Sequence, residues 1–172
     1  PPHASAPATR TRTDEATRRM PDPTAARTRR GSLRAMATVR LDQQDPQARE
    51  FTATVVAHAA YAAKPAVVLD RSAFYPEAGG QLADRGALTV DEVAHPVADV
   101  QIDDAGVVHH LIDGALPSVG ATVAGAIDRA RRRVHMALHT GQHLLSRALI
   151  EAAGAPTVSA RLGESACTID VT

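Results

Sequence analysis

The sequence predicts an α+β chain: a small antiparallel β-barrel over residues 38–127, then one long helix and the beginning of a further sheet over 128–172. Three observations carry this expectation. Between Phe51 and Ile127, short apolar runs alternate with turn residues, and no helical period interrupts them. From Asp128 to about Glu151, DRARRRVHMALHTGQHLLSRALIE is free of proline and rich in Leu and Ala, as a single helix requires. After it, TVSARLGESACTIDVT reads as two strands around Gly163.

Residues 1–35 hold many Arg, Ala, Thr and Pro and almost no large apolar side chains, so they are expected to be a disordered basic leader. A transit-type leader, an RNA-contacting arm and upstream sequence translated ahead of Met36 are all compatible with that composition. The last is favoured, because an ordinary globular pattern begins at once with MATVRLDQQDPQAREF. The formal net charge of +0 conceals two opposite halves. Nine arginines against three acids give +6 over residues 1–40, which leaves −6 for the rest. An acidic body argues against a nucleic-acid binder held by net charge alone, while local patches stay open.

The strand candidates are 51–58, 65–70, 87–90, 97–102, 107–112 and 121–127. Their punctuation is Gly79-Gly80, Gly86, Asp103 to Gly106, Asp113-Gly114 and Pro117 to Gly120. With 44% hydrophobic residues but only 2% aromatic ones, the core must be built of Val, Leu, Ile and Ala. A single cysteine excludes an internal disulfide and fits a reducing compartment. No apolar run approaches the roughly 18 residues of a membrane span, so a soluble, cytoplasmic protein is expected.

In the helix, Asp128 is the expected N-cap and Gly154 stands where a left-handed C-cap is common. At roughly 100° per residue, Val134, Leu138, Gly141, Leu145 and Leu149 form one stripe. His139 and His143, one turn apart, lie near the opposite side and are poorly explained as core. Two imidazoles at this spacing can converge on one metal ion at about 2 Å each, although zinc needs a third protein ligand. An incidental pair on a solvated face is the competing reading. His109 and His110 are adjacent in a strand, point to opposite faces and are dismissed as ligands. Cys167 is either a further ligand or a small buried strand residue. Arg129, Arg131, Arg132 and Arg133 stand where the helix macrodipole favours acids, either as a solvated face or as a local clamp on phosphates. In Ser72 to Gly86, Pro76 fixes the backbone, Gly79-Gly80 permits positive φ, and Gln81 both donates and accepts hydrogen bonds. Read blandly, this is a turn between strands.

Three segments together, PAVVLDRSAFYPEAGGQLADRG, RRRVHMALHTGQHLLSRAL and RLGESACTIDV, resemble the alanyl-tRNA editing family, which comprises freestanding editing proteins and the matching domain of alanyl-tRNA synthetase. The resemblance covers residues 38–172. It implies a barrel followed by an α+β editing domain whose long zinc-binding helix packs on a sheet. It implies Zn2+ held by His139 and His143 plus a cysteine and a further histidine, and hydrolysis of the ester joining serine or glycine to tRNA(Ala). It implies catalytic roles for Gln81, Thr140 and Gln142, and a substrate pocket lined by Gly79, Gly80 and Gln81. Contacts of Arg131, Arg132 and Arg133 with the tRNA acceptor stem are a further expectation, from charge placement. Neither a membrane nor DNA is an expected partner. The chain departs from the family pattern in one respect. No histidine follows His143, and Cys167 matches a strand that supplies no ligand, so the remaining ligands are expected beyond Thr172. A deacylase acting in trans ranks above a piece of alanyl-tRNA synthetase, since nothing before Met36 resembles an aminoacylation domain. A non-catalytic tRNA-binding remnant is the third reading.

Overall fold

The computed structural model describes residues 37–172; the leader expected over residues 1–35 lies outside them. A short strand β1 (Val39–Arg40) and a single turn of helix α1 (Leu41–Gln44) lead into β2 (Glu50–Tyr61), β3 (Lys64–Leu69) and β4 (Arg71–Ser72). Then follow β5 (Gly86–Val90), β6 (Val93–Ile102), β7 (Val108–Ile112) and β8 (Thr122–Ile127). The long helix α2 (Arg129–Ala153) and the hairpin of β9 (Thr157–Leu162) and β10 (Cys167–Val171) complete the chain.

Six strands close a barrel in the order β2-β3-β7-β6-β5-β8, every pairing antiparallel. All six were expected from the apolar runs. Closure depends on β2, whose twelve residues pair with β8 along the first part and with β3 along the second, with an irregularity in register between Val55 and Ala57. Alternation sorts the side chains: along β8, Val123, Gly125 and Ile127 are buried and their neighbours exposed. Val55, Val67, Leu69, Phe74, Leu88, Val100 and Val123 fill the interior. Phe74 adds edge-to-face contacts with Phe51 at 5.7 Å and with His110 at 5.6 Å between ring centroids.

His110 is wholly enclosed in this core, its two ring nitrogens bound to Ser72 Oγ at 2.7 Å and to the Val67 carbonyl at 3.2 Å. Burial pushes its pKa down to about 4. Between pH 6.5 and about 4 the unfolded chain binds a proton on this imidazole that the folded chain refuses, so folding stability falls as the medium is acidified through that window. Thermal unfolding followed from pH 7 to pH 4.5 is expected to show this decline, and His110→Gln is expected to flatten it. An unaltered slope in the variant would assign the decline to other groups.

The helix starts and stops where expected. The Asp128 carboxylate accepts from the Arg131 N–H at 3.0 Å; Gly154, at φ 63°, donates its N–H to the Ile150 carbonyl and Ala155 donates to that of Leu149. Its orientation differs from the apolar-stripe expectation. The residues it buries are Arg132 and His135, while Val134 and Leu145 are more than half exposed. The first half of α2 therefore meets the barrel with a polar face, because Asp84 and three backbone carbonyls there demand donors. Farther along, Leu145 and Leu149 border a groove shared with Leu162, Ile169 and Val171 of the hairpin.

Candidate functional site

Three elements converge beside the barrel: the turn Ala78–Gln81, the middle of α2 and strand β9. Ala78 and Gln81 bond to each other reciprocally at 3.2 and 3.0 Å, and between them Gly79 and Gly80 take φ of 58° and 78°. Two successive positive φ values define a mirror-image tight turn that glycine enters most easily. A Cβ on Gly79 would meet open space, whereas one on Gly80 would overlap the Ala160 carbonyl oxygen of β9. The Gly80 carbonyl accepts from the Leu162 N–H at 2.8 Å, and Gln81 forms a parallel bridge with Leu162. Glu164, in the β9–β10 turn, adds an ionic seam by pairing with Arg85 at 2.9 Å and Arg131 at 2.7 Å.

Gln81 is buried, yet its carbonyl oxygen reaches α2 and accepts from His139 Nδ1 at 2.8 Å. A proton held on Nδ1 leaves the lone pair on Nε2, the tautomer a metal-binding imidazole needs. The His139 and His143 rings stack with centroids 4.9 Å apart and planes inclined by 29°. The two rings are thus neighbours on one face of α2, with Gln81 orienting the first. Among the described residues no group of three His, Cys, Asp or Glu side chains is arranged to hold a metal, and a zinc site here would need at least one further protein ligand.

The other expected residues fall around this centre. Thr140 is exposed and its hydroxyl donates back to the Met136 carbonyl at 3.0 Å. Gln142 points along the helix, donating to Ser146 Oγ at 2.8 Å, and borders the same groove as Cys167. Cys167 is exposed, which departs from the buried-strand expectation. Arg131 donates from Nε to the Ala83 carbonyl and pairs with Glu164; Arg132 is buried against Asp84; of the three expected acceptor-stem contacts, Arg133 is the one facing solvent. Sequence reasoning passed over His135, one turn before His139 on the same face. It is buried with Nδ1 lacking a partner, and burial together with the Arg131 charge lowers its pKa. The four-residue spacing 135–139–143 was the available signal.

The sequence pattern of the class II (A) tRNA synthetases matches residues 34–131, more than half of the chain. The chain belongs to that family. Within the family its relatives are alanyl-tRNA synthetases. It is 44% identical to the alanine–tRNA ligase of Methanothrix thermoacetophila over 109 residues, 63% of this chain and 11% of that protein. It is 42% identical to the Ignicoccus hospitalis enzyme and 41% identical to that of Archaeoglobus fulgidus, each over 118 residues, 68% and 69% of this chain and 12% of either relative. The chain thus spans about a tenth of the length of the curated relatives it matches. The synthetase-family match takes in the whole barrel and the start of α2. Among the described residues no helix is long and apolar enough to cross a membrane.

Proposed function

We propose that this synthetase-family chain serves aminoacyl-tRNA editing in the cytoplasm: zinc-dependent hydrolysis of the ester that joins serine or glycine to tRNA(Ala). Residues 38–127 would form the barrel domain and 128–172 the beginning of the editing domain. The observation that carries this reading is the Gln81–His139 bond, which ties the glycine turn to a helix bearing two histidines one turn apart. Hydrolytic proofreading is needed because a pocket shaped for alanine rejects a ligand with an added hydroxyl by only about 10²-fold. A second site that hydrogen-bonds the hydroxyl discriminates far more strongly, since alanine would leave its polar groups unpaired. His139 and His143 would hold the ion, and bound zinc supplies a Lewis acid that polarises the ester carbonyl or acidifies a water. Gln81 fixes the His139 tautomer, and the open side of Gly79 lets the aminoacyl end approach the backbone. Thr140 and Gln142 stand on the same helix as the groups that would contact the reacting ester.

A second reading, in which the chain acts as part of an alanine–tRNA ligase, is favoured by the names of its relatives. It ranks at least equal to action in trans, which revises the order expected from the sequence. Both share the same site. Equilibrium dialysis against Zn2+ is expected to show uptake by the full chain, weakened more than about tenfold in His139→Ala/His143→Ala, with Gln81→Ala in between. Equal uptake by all three removes the metal assignment. Chain whose zinc shell is complete is expected to deacylate seryl-tRNA(Ala) in preference to alanyl-tRNA(Ala), and the double variant to lose this. Zinc uptake without hydrolysis would replace the enzyme reading by a non-catalytic tRNA-binding one.

A further inference from the structure

Arginine pairing in this fold is uneven. Of the ten arginines among the described residues, Arg40, Arg71, Arg85, Arg131, Arg132 and Arg147 have carboxylate partners. Arg49, Arg129, Arg133 and Arg161 have none there, and three of those four line one cavity of about 330 Å³ between the 46–49 segment and the start of α2. The body of the chain is acidic, so this gathering of unpaired cations does not follow from a general surplus. It is also built. Arg129 and Arg133 are one helical turn apart on the same face. The Arg49 carbonyl accepts from the Ile127 N–H at 2.9 Å, which fixes that segment against the end of β8. Arg132 Nη1 donates to the Pro46 carbonyl at 3.0 Å and holds the segment from the other side. Ile127 and Met136 give the cavity an apolar floor.

We infer that this cavity seats a backbone phosphate of RNA, with the three guanidiniums on the phosphate oxygens and the adjoining ribose or base against Ile127 and Met136. Guanidinium donors match phosphate geometry in bidentate fashion, and a partly enclosed apolar floor suits the sugar side of a nucleotide. The inference deepens the tRNA reading and rests on it. It replaces the acceptor-stem trio 131–133 by 49, 129 and 133, because Arg131 and Arg132 are engaged within the fold.

The test is binding of uncharged tRNA(Ala) transcript to the full chain across a salt series, beside Arg49→Gln/Arg129→Gln/Arg133→Gln. The expected result is at least tenfold weaker binding by the variant at about 0.1 M salt. The slope of log K against log salt is expected to be shallower by about 0.7–0.9, the share of one phosphate contact. A triple Arg→Lys variant should keep most of the slope, and unchanged far-ultraviolet circular dichroism guards against misfolding. Equal affinity and slope in wild type and Gln variant would overturn the phosphate seat while leaving tRNA binding intact. If wild type itself does not bind tRNA, the broader reading falls with it. Displacement of inorganic phosphate by the Gln substitutions, without any effect on RNA, would show a small-anion site and equally overturn the inference. Zinc uptake by the Gln variant should match wild type, which keeps this result separate from the metal assignment.

Discussion

Replacing Arg132 with alanine is expected to lower the unfolding free energy by about 3–5 kcal/mol, a large share of the ~5–15 kcal/mol typical of a folded domain. Arg132 Nε lies 3.0 and 2.9 Å from the two Asp84 oxygens, and Nη2 reaches Asp84 as well. The remaining donors go to the Ala73 carbonyl at 2.7 Å and the Pro46 carbonyl at 3.0 Å. The side chains of Arg132 and Asp84 are 10% and 1% exposed. Asp84 is further held by the Tyr75 N–H at 2.7 Å. Truncating the arginine leaves a carboxylate in the interior with one donor where it had several, and that uncompensated charge is the main cost, larger than any net gain from the pair itself. Removing both partners, as Asp84→Leu/Arg132→Met, should recover part of the loss; a double-mutant cycle in urea measures the coupling. A loss under about 1 kcal/mol in Arg132→Ala would mean that water reaches Asp84 freely.

Gly80→Ala is expected to cost about 2–4 kcal/mol, the sum of strain at positive φ and a hydrogen bond lost at the seam with β9. Gly79→Ala is the internal control. Its backbone also has positive φ, at 58°, but its Cβ would enter open space, so its cost should stay near the ~1–2 kcal/mol of conformational strain alone. Amide exchange at Leu162, whose N–H bonds to Gly80, should accelerate in Gly80→Ala and not in Gly79→Ala. Equal costs at both glycines would show that β9 yields to the added methyl.

The barrel was legible because each of its strands is an apolar run, and runs survive without knowledge of partners. Two of its turns were not. Ala62-Ala63 and Asp91-Glu92 link β2 to β3 and β5 to β6, and all four residues take positive φ between 46° and 66°. Ala62-Ala63 carries none of the residues that favour such a turn and Asp91-Glu92 only an aspartate, so strand pairing imposes a backbone that local chemistry barely announces. The helix was legible in extent and misread in orientation. Apolar periodicity marks the side that avoids water when nothing else competes, but Asp84 and the carbonyls around it claim the polar side through Arg132. At the site, four-residue spacing found His139 and His143, yet Gln81 meets His139 from 58 positions away, a proximity that only the folded barrel creates. Arg49 and Arg129 were invisible as partners for the same reason.

The double pairing of β2 bears on how the chain folds as well as on what it becomes. Its second half pairs with β3 as a local hairpin, but its first half waits for β8, which is synthesised some seventy residues later. Such non-local closure is slow, since a long loop must be drawn in before contacts reward it. During vectorial synthesis the last staves leave the ribosome directly ahead of α2, and the Asp128 N–H then docks on the Arg85 carbonyl at 2.8 Å. Once β8 lies beside β5, Arg132 is tethered within five residues of its partner's neighbourhood, and little further entropy is lost when it finds Asp84. The ion pair therefore behaves as a latch that engages late. It slows reopening of a completed barrel without hastening its formation.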